Sequence, residues 1–168
     1  RMKSFSKYLL DEIDIYIEYF RNKGITPNIK EIHFGGGSPN VMDEREFGQL
    51  VSKLGELVDI SSLDQFALEI DVRSVDREKA IFFHEQGINR ISFGVQDFNP
   101  EVQKAVNRVQ PAELIDSLLT PDIRNRFESV NFDIMWGLPK QNRQTFRETI
   151  KLLKHFSPDR ITLLHYGH

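Results

Sequence analysis

Five short apolar runs, rich in residues that favour β-strands, recur along the chain and restrict its fold more than any other feature. They span residues 29–34, 65–70, 90–95, 130–136 and 160–165. None of them alternates cleanly between apolar and polar residues. That pattern is typical of strands buried on both faces, as in parallel sheets covered by helices.

Helical periods of apolar residues lie before the first run and between successive runs. In the first of them, Leu9, Ile13, Ile17 and Phe20 fall on one helix face. Three residues have the chemistry and position of helix N-caps: Asp43, Asp76 and Asn99. A helix followed by a strand, repeated five times, predicts the α/β class with a parallel sheet and right-handed crossovers. A (β/α) barrel opened at its first strand and a doubly wound open sheet both agree with this order.

The composition limits the size and the partners of the protein. A length of 168 residues suits one domain, so residues 1–168 are predicted to form a single domain with no internal boundary. The net charge is -3 and no block of Lys and Arg occurs, so no nucleic-acid partner is expected. No apolar run approaches the roughly 20 residues that span a bilayer, so no membrane span is expected. Because the chain begins with Arg1 and ends just after a strand-like run, we expect an excised fragment.

The chain has no cysteine. This excludes a disulfide scaffold, a thiolate nucleophile, a cysteine-ligated zinc site and an iron–sulfur cluster held by this chain alone. His33, His84 and His155 show no metal-ligand spacing and are interpreted as structural. His165 and His168 have i, i+3 spacing at a strand end, which indicates a metal only weakly, so no metal ligands are predicted.

Polar residues collect where the strand-like runs end. In parallel α/β sheets, ligands bind at the carboxyl ends of the strands. Polar residues in buried strands are costly unless they are paired. The positions are residues 35–39, Glu69 with Asp71, Gln96 with Asp97, Asp133, and residues 165–168. Their coincidence at all five strand ends predicts a ligand site.

The first two of these positions also have structural explanations. Three consecutive glycines, residues 35–37, let the backbone approach a ligand closely, but they also suit a tight turn. Glu69 and Asp71 project to the same face. Their functional interpretation is that they bind a ligand or act as acid and base, and their structural interpretation is a salt bridge to Arg73 or Arg90.

Three more residues leave alternatives open. Gln96 lies beyond a buried strand, where an amide reads a ligand's hydrogen bonds or caps a loop. Asp133 lies among apolar neighbours, so backbone amides or a ligand must satisfy it. Arg108 is able to pair with a carboxylate, but the residues alone favour a solvated surface arginine.

Four motifs occur in order along the chain. They are Phe-Gly-Gly-Gly-Ser-Pro at 34–39, Glu-Ile-Asp at 69–71, Gly-Val-Gln-Asp-Phe at 94–98 followed by Val-Asn-Arg-Val-Gln at 106–110, and Asp-Ile-Met-Trp-Gly-Leu-Pro at 133–139. Through them the chain resembles the radical S-adenosylmethionine superfamily from Tyr8 to His168. Within it, the chain is similar to the family of oxygen-independent coproporphyrinogen III oxidases. Asp97 and Asn107 favour that family over its haem-carrying chaperone siblings.

The resemblance implies a fold and a set of cofactors. The family barrel has six βα units, and its first strand delivers a Cys-x3-Cys-x2-Cys loop that holds a [4Fe–4S] cluster. That unit and the family's C-terminal domain have no counterpart here, so we expect a partial (β/α) barrel of parallel strands with the first strand missing. For the full-length protein, the resemblance implies S-adenosylmethionine and a [4Fe–4S] cluster, a porphyrinogen substrate, a reductant protein and a cytoplasmic location.

The resemblance also implies a reaction in haem biosynthesis. The reduced cluster cleaves S-adenosylmethionine to a 5′-deoxyadenosyl radical, which takes hydrogen from a propionate of coproporphyrinogen III. Loss of carbon dioxide leaves a vinyl group, and two such events give protoporphyrinogen IX. This chain alone is predicted to be inactive, because it has no cysteine to hold the cluster.

Eight residues match cofactor-binding positions of the family: Gly36, Gly37, Ser38, Glu69, Gln96, Arg108, Asp133 and Gly167. The first three match the loop at the methionine end of the cofactor, and the last matches a backbone contact. An amino acid needs acceptors for its ammonium and a cation for its carboxylate, and ribose hydroxyls suit Gln and Asp. No catalytic residue is assigned, because the cofactor carries the chemistry.

Two other functions remain alternatives. One is a haem-carrying chaperone of the same superfamily, which keeps the fold and carries haem. The other is an ordinary (β/α)-barrel isomerase or aldolase that uses Glu69 or Asp133 as a base.

Overall fold

One five-stranded parallel sheet organises the structure, a computed structural model that describes residues 2–167 and the side chains of residues 5–167. The strands are β1 (Glu31–Phe34), β2 (Gln65–Ile70), β3 (Arg90–Gln96), β4 (Ser129–Trp136) and β5 (Arg160–His165). The α-helices are α1 (Met2–Lys23), α2 (Glu44–Leu54), α3 (Arg77–Glu85), α4 (Pro100–Ala105), α5 (Ala112–Leu118), α6 (Pro121–Arg124) and α7 (Arg143–Phe156). Each strand begins and ends within two residues of the run that predicted it.

The strands follow one another across the sheet in chain order, and each neighbouring pair is parallel. A doubly wound sheet reverses its strand order at a switch point, so this order excludes that alternative. Right-handed crossovers that always advance the same way place their helices on one face. The predicted α/β class, a partial (β/α) barrel, is therefore confirmed. Within residues 2–167 the barrel is open, with β1 and β5 at its edges.

The two faces of the sheet differ in chemistry. The expectation of strands buried on both faces is confirmed for the central strands, where residues 66–68, 91–93 and 130–132 are all buried. It is wrong for the edge strands β1 and β5, whose residues are exposed or half-buried. Successive residues of a strand point to opposite faces. The apolar face consists of buried or half-buried residues that pack under the helices: Ile32, Phe34, Phe66, Leu68, Ile70, Ile91, Phe93, Val95, Val130, Phe132 and Ile134. We call the opposite face, which carries the intervening side chains, the polar face. Its polar residues include His33, Gln65, Glu69, Arg90, Ser92, Asn131, Asp133 and Thr162.

Phenylalanines bind the helices to the apolar face. The fully buried ring of Phe47 in α2 lies 5.0 Å from Phe34 of β1 and 4.9 Å from Phe83 of α3, between ring centroids. Phe156 of α7 lies 5.6 Å from Phe132 of β4 in the same way. Burying one such side chain contributes about 1.5–3 kcal/mol to stability.

The predicted N-caps are confirmed. Asp43 accepts a hydrogen bond from the Glu46 amide at 2.7 Å, and Asp76 accepts one from the Lys79 amide at 2.8 Å. Asn99 accepts from the backbone amides of the first turn of α4. None of the helices in the described part of the chain is long and apolar enough to span a membrane.

Candidate functional site

A cavity of about 350 Å³ opens at the carboxyl ends of the strands. Sites for small molecules usually measure roughly 300–1,000 Å³. The lining residues are Gly37, Ser38, Glu69, Ile70, Asp71, Gly94, Gln96, Arg108, Asp133 and Leu164. The cavity therefore lies at the edge where parallel α/β sheets bind ligands.

The loop after β1 turns its backbone towards β2. Gly36, Gly37 and Ser38 have φ angles of 74°, 60° and 60°, in the left-handed region that glycine adopts without steric cost. With this turn, the Gly36 amide donates a hydrogen bond to Glu69 Oε2 at 2.9 Å. The conformation thus anchors the loop to a carboxylate of the site.

Glu69 is held through both of its carboxylate oxygens. Its Oε1 lies 3.2 Å from His33 Nε2, and both side chains are partly open to solvent, at 42% and 49% exposure. A Cβ on Gly35 would lie 2.6 Å from His33 Nε2 and 2.8 Å from Glu69 Oε1. Gly35 therefore leaves room for this contact. Sequence reasoning missed His33 as part of the site. The residue lies between Ile32 and Phe34 of the apolar face, so the alternation of the strand places it on the polar face.

Asp71 follows β2 and is paired within its own loop. Arg73 donates to it from Nε at 2.9 Å and from Nη2 at 2.6 Å. These hydrogen bonds from the Arg73 side chain are the main reason why the pKa of Asp71 is lowered. The Asp71 backbone is fixed by Asn40, whose Oδ1 accepts from the Asp71 amide at 3.0 Å. The structural alternative from the sequence, a salt bridge to Arg73, is therefore the one that forms.

Gln96 and Arg108 converge over Gly94. Arg108 Nη2 donates to the Gly94 carbonyl at 3.0 Å, and a Cβ on Gly94 would lie 2.9 Å from that nitrogen. Gln96 is a non-glycine residue with a φ of 63°. Gln96 Oε1 and Arg108 Nε are buried and have no hydrogen-bond partner among the described residues. Buried polar atoms are normally paired, so hydrogen-bonding capacity is unused beside the cavity, as it is at four other buried side-chain atoms of the described residues. The expectation of a solvated surface arginine is wrong, because Arg108 is partly buried and lines the cavity.

Asp133 is oriented by side chains of the polar face. Ser92 Oγ donates to Asp133 Oδ2 at 2.9 Å, and Asn131 Nδ2 donates to Oδ1 at 2.8 Å. Asn131 also exchanges hydrogen bonds with Thr162 of β5. The sequence analysis expected backbone amides or a ligand here. A hydroxyl and a side-chain amide on neighbouring positions hold the carboxylate in place of backbone amides, and the carboxylate still lines the cavity.

The structure brings six of the eight predicted residues together around one cavity: Gly37, Ser38, Glu69, Gln96, Arg108 and Asp133. Gly36 joins them through its hydrogen bond to Glu69. Gly167 lies beyond β5, exposed, and does not line the cavity. Within residues 2–167 no group of three or more His, Asp or Glu side chains is arranged to hold a metal ion.

The comparison with protein families identifies the class to which this geometry belongs. The profile of the radical SAM superfamily matches residues 3–153. The chain therefore belongs to the radical SAM superfamily.

Particular relatives narrow the comparison further. The oxygen-independent coproporphyrinogen III oxidase of Synechocystis sp. is 35% identical to the chain, over 83% of this chain and 30% of the relative. The enzyme of that name from Escherichia coli K12 is also 35% identical, over 84% of this chain and 31% of the relative. The chain thus spans about a third of the length of the curated relatives it matches. These names favour the oxidase interpretation over the haem-chaperone and isomerase or aldolase alternatives.

Solved structures agree with this placement. The coproporphyrinogen III oxidase HemN of Escherichia coli, described as a radical SAM enzyme, has a TM-score of 0.86 and 32% identity, covering 100% of this chain and 39% of that chain. Elp3 of the archaeon Methanocaldococcus infernus has a TM-score of 0.70 and 14% identity, covering 95% and 42%. The second likeness shows the fold alone.

Proposed function

We propose that the cavity at the strand ends binds S-adenosylmethionine, and that the chain is part of an oxygen-independent coproporphyrinogen III oxidase. The observation that carries the binding proposal is the convergence of Glu69, Arg108 and Asp133 on one cavity at the carboxyl ends of the strands. The oxidase names of the relatives and membership of the radical SAM superfamily support the wider proposal.

The charges around the cavity complement those of S-adenosylmethionine. The ligand carries an ammonium, a sulfonium and one carboxylate. Among the charged residues that line the cavity, Asp71 is paired with Arg73, which leaves Glu69 and Asp133 facing Arg108. Two acids and one arginine therefore meet two cationic centres and one carboxylate. Charge-assisted hydrogen bonds of this kind are about twice as strong as neutral ones.

Each residue has a role that suits its chemistry. Arg108 holds the ligand carboxylate, and Glu69, steadied by His33 and Gly36, accepts from the ammonium. Gln96 and Asp133 accept from ribose hydroxyls. Gly37 and Ser38 form the backbone wall on the side of Glu69. Gly167 stays a predicted backbone contact.

When bound, S-adenosylmethionine supplies the hydrogen-abstracting radical chemistry by which two propionates of coproporphyrinogen III are oxidatively decarboxylated to vinyl groups. The residues of this chain do not fit the [4Fe–4S] cluster that this chemistry also uses, because the chain has no cysteine. We therefore assign the cluster ligands to sequence outside these 168 residues, and we derive no step through the cluster. What the chain contributes is the binding and orientation of the cofactor.

Several features of the full-length protein remain predictions. They are a porphyrinogen substrate, a reductant protein as partner, the lack of a nucleic-acid partner, and a cytoplasmic location. The single sheet with one continuous core supports the proposal that residues 1–168 form one domain.

Binding is tested by titrating S-adenosylmethionine into the 168-residue chain in a calorimeter, after circular dichroism has shown that the chain is folded. We expect saturable binding of one equivalent. Adenosine and methionine, titrated separately, should each bind more weakly because each fills part of the site. A folded chain that takes up no S-adenosylmethionine at millimolar concentration would remove this proposal.

The oxidase activity is tested anaerobically on a full-length protein that contains this segment, with a reductant and S-adenosylmethionine. We expect conversion of coproporphyrinogen III to protoporphyrinogen IX. Transfer of haem without such turnover would instead assign the protein to the haem-carrying chaperones. Activity in air without S-adenosylmethionine would assign it to the barrel isomerases or aldolases.

A further inference from the structure

Asp97 carries a buried carboxylate next to the candidate site, and the proposed function does not use it. The residue is 1% exposed and does not line the cavity. A carboxylate in such a place is costly unless its hydrogen bonds are satisfied. The partners of Asp97 therefore indicate what it does.

Three donors from three parts of the chain meet this carboxylate. Its Oδ1 accepts from the Asn99 amide at 2.6 Å and from Thr149 Oγ1 of α7 at 2.9 Å. Its Oδ2 accepts from Gln141 Nε2, in the loop after β4, at 2.6 Å. Asp97 thus joins the loops at the carboxyl ends of β3 and β4 to helix α7.

Gln141 extends the connection across the end of β4. Its Nε2 also donates to the Met135 carbonyl at 2.9 Å, and its Oε1 accepts from the Gly137 amide at 2.7 Å. The amide is therefore fully oriented, with its nitrogen towards Asp97. Two hydrogen bonds therefore connect Asp97 to Gln141 and Gln141 to Gly137.

The backbone that Asp97 anchors is strained at the residue before it. Gln96 has its φ of 63° at the point where the pairing of β3 with β4 shifts register. A left-handed non-glycine residue persists only where its surroundings hold it. From the other side, Gln110 Nε2 donates to the carbonyls of Gly94 and Val95 at 2.8 and 2.7 Å. Gln96 is thus held between Gln110 and Asp97.

We propose that Asp97, through Gln141, is a positioning residue for the cofactor site: it fixes Gln96 in the left-handed conformation in which its side chain lines the cavity. This inference rests on the proposed binding of S-adenosylmethionine. In this proposal Asp97 does not touch the ligand, but it influences the affinity of the site for S-adenosylmethionine through Gln96.

The first test is Asp97→Asn. This variant keeps Oδ1 for Asn99 and Thr149. It replaces Oδ2 by the NH2 group of an amide, which cannot accept the hydrogen bond from Gln141. We expect S-adenosylmethionine to bind about tenfold more weakly by calorimetry, which corresponds to about 1.4 kcal/mol. Gln96→Ala should weaken binding by a similar factor, and Asp97→Asn should add no more than twofold in that background, because coupled residues are not additive.

A double variant provides the rescue. Asp97→Asn combined with Gln141→Glu reverses the direction of the hydrogen bond, so that the new amide donates to the new carboxylate. Affinity should recover only part of the loss, because the new carboxylate also faces the Met135 carbonyl, to which Gln141 Nε2 donates at 2.9 Å in the wild type. Ile88→Val is the matched control, since Ile88 is fully buried at the opposite, amino end of β3. It should destabilise the fold and leave the affinity unchanged.

Hydrogen exchange supplies a readout that needs no ligand. Asp97→Asn releases Gln141 and should therefore speed hydrogen exchange of the Gly137 amide at least tenfold. Ile88→Val should not speed exchange at Gly137 more than at other amides. If the wild-type chain binds no S-adenosylmethionine, the proposed function fails, and unchanged Gly137 exchange would overturn the positioning link as well. Unchanged affinity in Asp97→Asn, or an equal loss in the Gln96→Ala background, would overturn the inference even if binding is real. If Asp97→Asn does not fold, Gln141→Ala breaks the same link and is judged by the same outcomes.

Discussion

The two faces of one sheet divide the work of this molecule, and neighbouring residues of β4 show the division. Phe132 is fully buried and packs against Phe93 and Phe156, with ring centroids 5.8 and 5.6 Å away. Asp133, the next residue, points the other way and accepts hydrogen bonds from Ser92 and Asn131. The strands therefore supply stability through one set of alternate residues and chemistry through the other.

The difference has a physical cause. The apolar face excludes water, and its contribution grows with the apolar area it buries. The polar face keeps its groups by pairing them across strands, which fixes their directions. Substitutions on the apolar face should therefore change the free energy of unfolding, whereas substitutions at the polar face and its rim should change ligand affinity.

The largest effect is expected from Phe47→Ala, under the apolar face. Phe47 is fully buried and contacts Phe34, Phe82 and Phe83. Removing such a ring leaves a cavity, and we expect a loss of about 3–5 kcal/mol in the free energy of unfolding, measured with urea. Tyr8→Ala, at a ring that is 69% exposed, is the control and should change stability by less than about 0.5 kcal/mol. Equal losses of unfolding free energy in the two variants would contradict the conclusion that packing under the apolar face stabilises the fold.

The next effect is expected from Arg108→Ala, at the rim of the polar face. We expect S-adenosylmethionine to bind about 10- to 150-fold more weakly, the equivalent of about 1.5–3 kcal/mol for a hydrogen bond to a charged group. Calorimetry measures the affinity, and urea unfolding shows that the chain remains folded. Arg147→Ala, at an exposed arginine of α7, controls for the loss of charge. A parallel fall in both variants would mean that general electrostatic attraction, not the site, binds the cofactor.

A smaller effect is expected from Gly35→Ala. The new Cβ would meet the flexible ends of His33 and Glu69 at 2.6 and 2.8 Å, so these side chains should move apart while the backbone stays. Losing this contact should weaken S-adenosylmethionine binding about three- to tenfold, in line with about 1 kcal/mol for one hydrogen bond. Gly48→Ala is the matched change in α2, where the nearest atom lies 3.6 Å from the added Cβ. It should leave affinity unaltered, and unaltered affinity in Gly35→Ala would remove His33 from the site.

Much of the fold was predictable because the strands and caps are local signals. All five apolar runs became strands, and Asp43, Asp76 and Asn99 became N-caps. The two-faced character of the sheet was not predictable from the same runs. Ser92 and Asn131 are polar yet buried, because they bond each other across β3 and β4 and both donate to Asp133. Such pairing depends on register, which the sequence of one strand does not contain.

The candidate site was predictable to the extent that it follows from strand ends. Glu69, Gln96 and Asp133 were singled out by that rule, and they line one cavity. Arg108 needed the family resemblance, because the residue alone favoured a surface arginine. It follows Asn107, which has a φ of 53° after α4, and the Arg108 amide donates to the Gln103 carbonyl of that helix at 2.9 Å. The Gln141 link to Asp97 spans 44 residues, so no local pattern revealed it.

The smallest effect is expected at Asp71, which lines the cavity but is paired with Arg73. The pKa of Asp71 is lowered in the folded chain, chiefly by hydrogen bonds from Arg73. The pair therefore stabilises the fold fully above the ordinary aspartate pKa of about 3.9, and this contribution disappears as the pH falls through the lowered value. We expect Asp71→Asn to cost about 1 kcal/mol or less near neutral pH, because the Arg73 side chain is 40% exposed.

Urea unfolding of the wild type and of Asp71→Asn at pH 7, 5, 3 and 2 measures this prediction. The difference between the two should be constant at the two higher values and shrink as the pH falls below the ordinary aspartate pKa. In an Arg73→Ala background, Asp71→Asn should have little effect at any pH, because the partner is gone. Affinity for S-adenosylmethionine should change less than threefold, since Arg73 already satisfies this carboxylate. A difference in stability that grows towards low pH would contradict the pairing with Arg73. A loss of affinity as large as that of Arg108→Ala would instead place Asp71 among the ligand-binding residues.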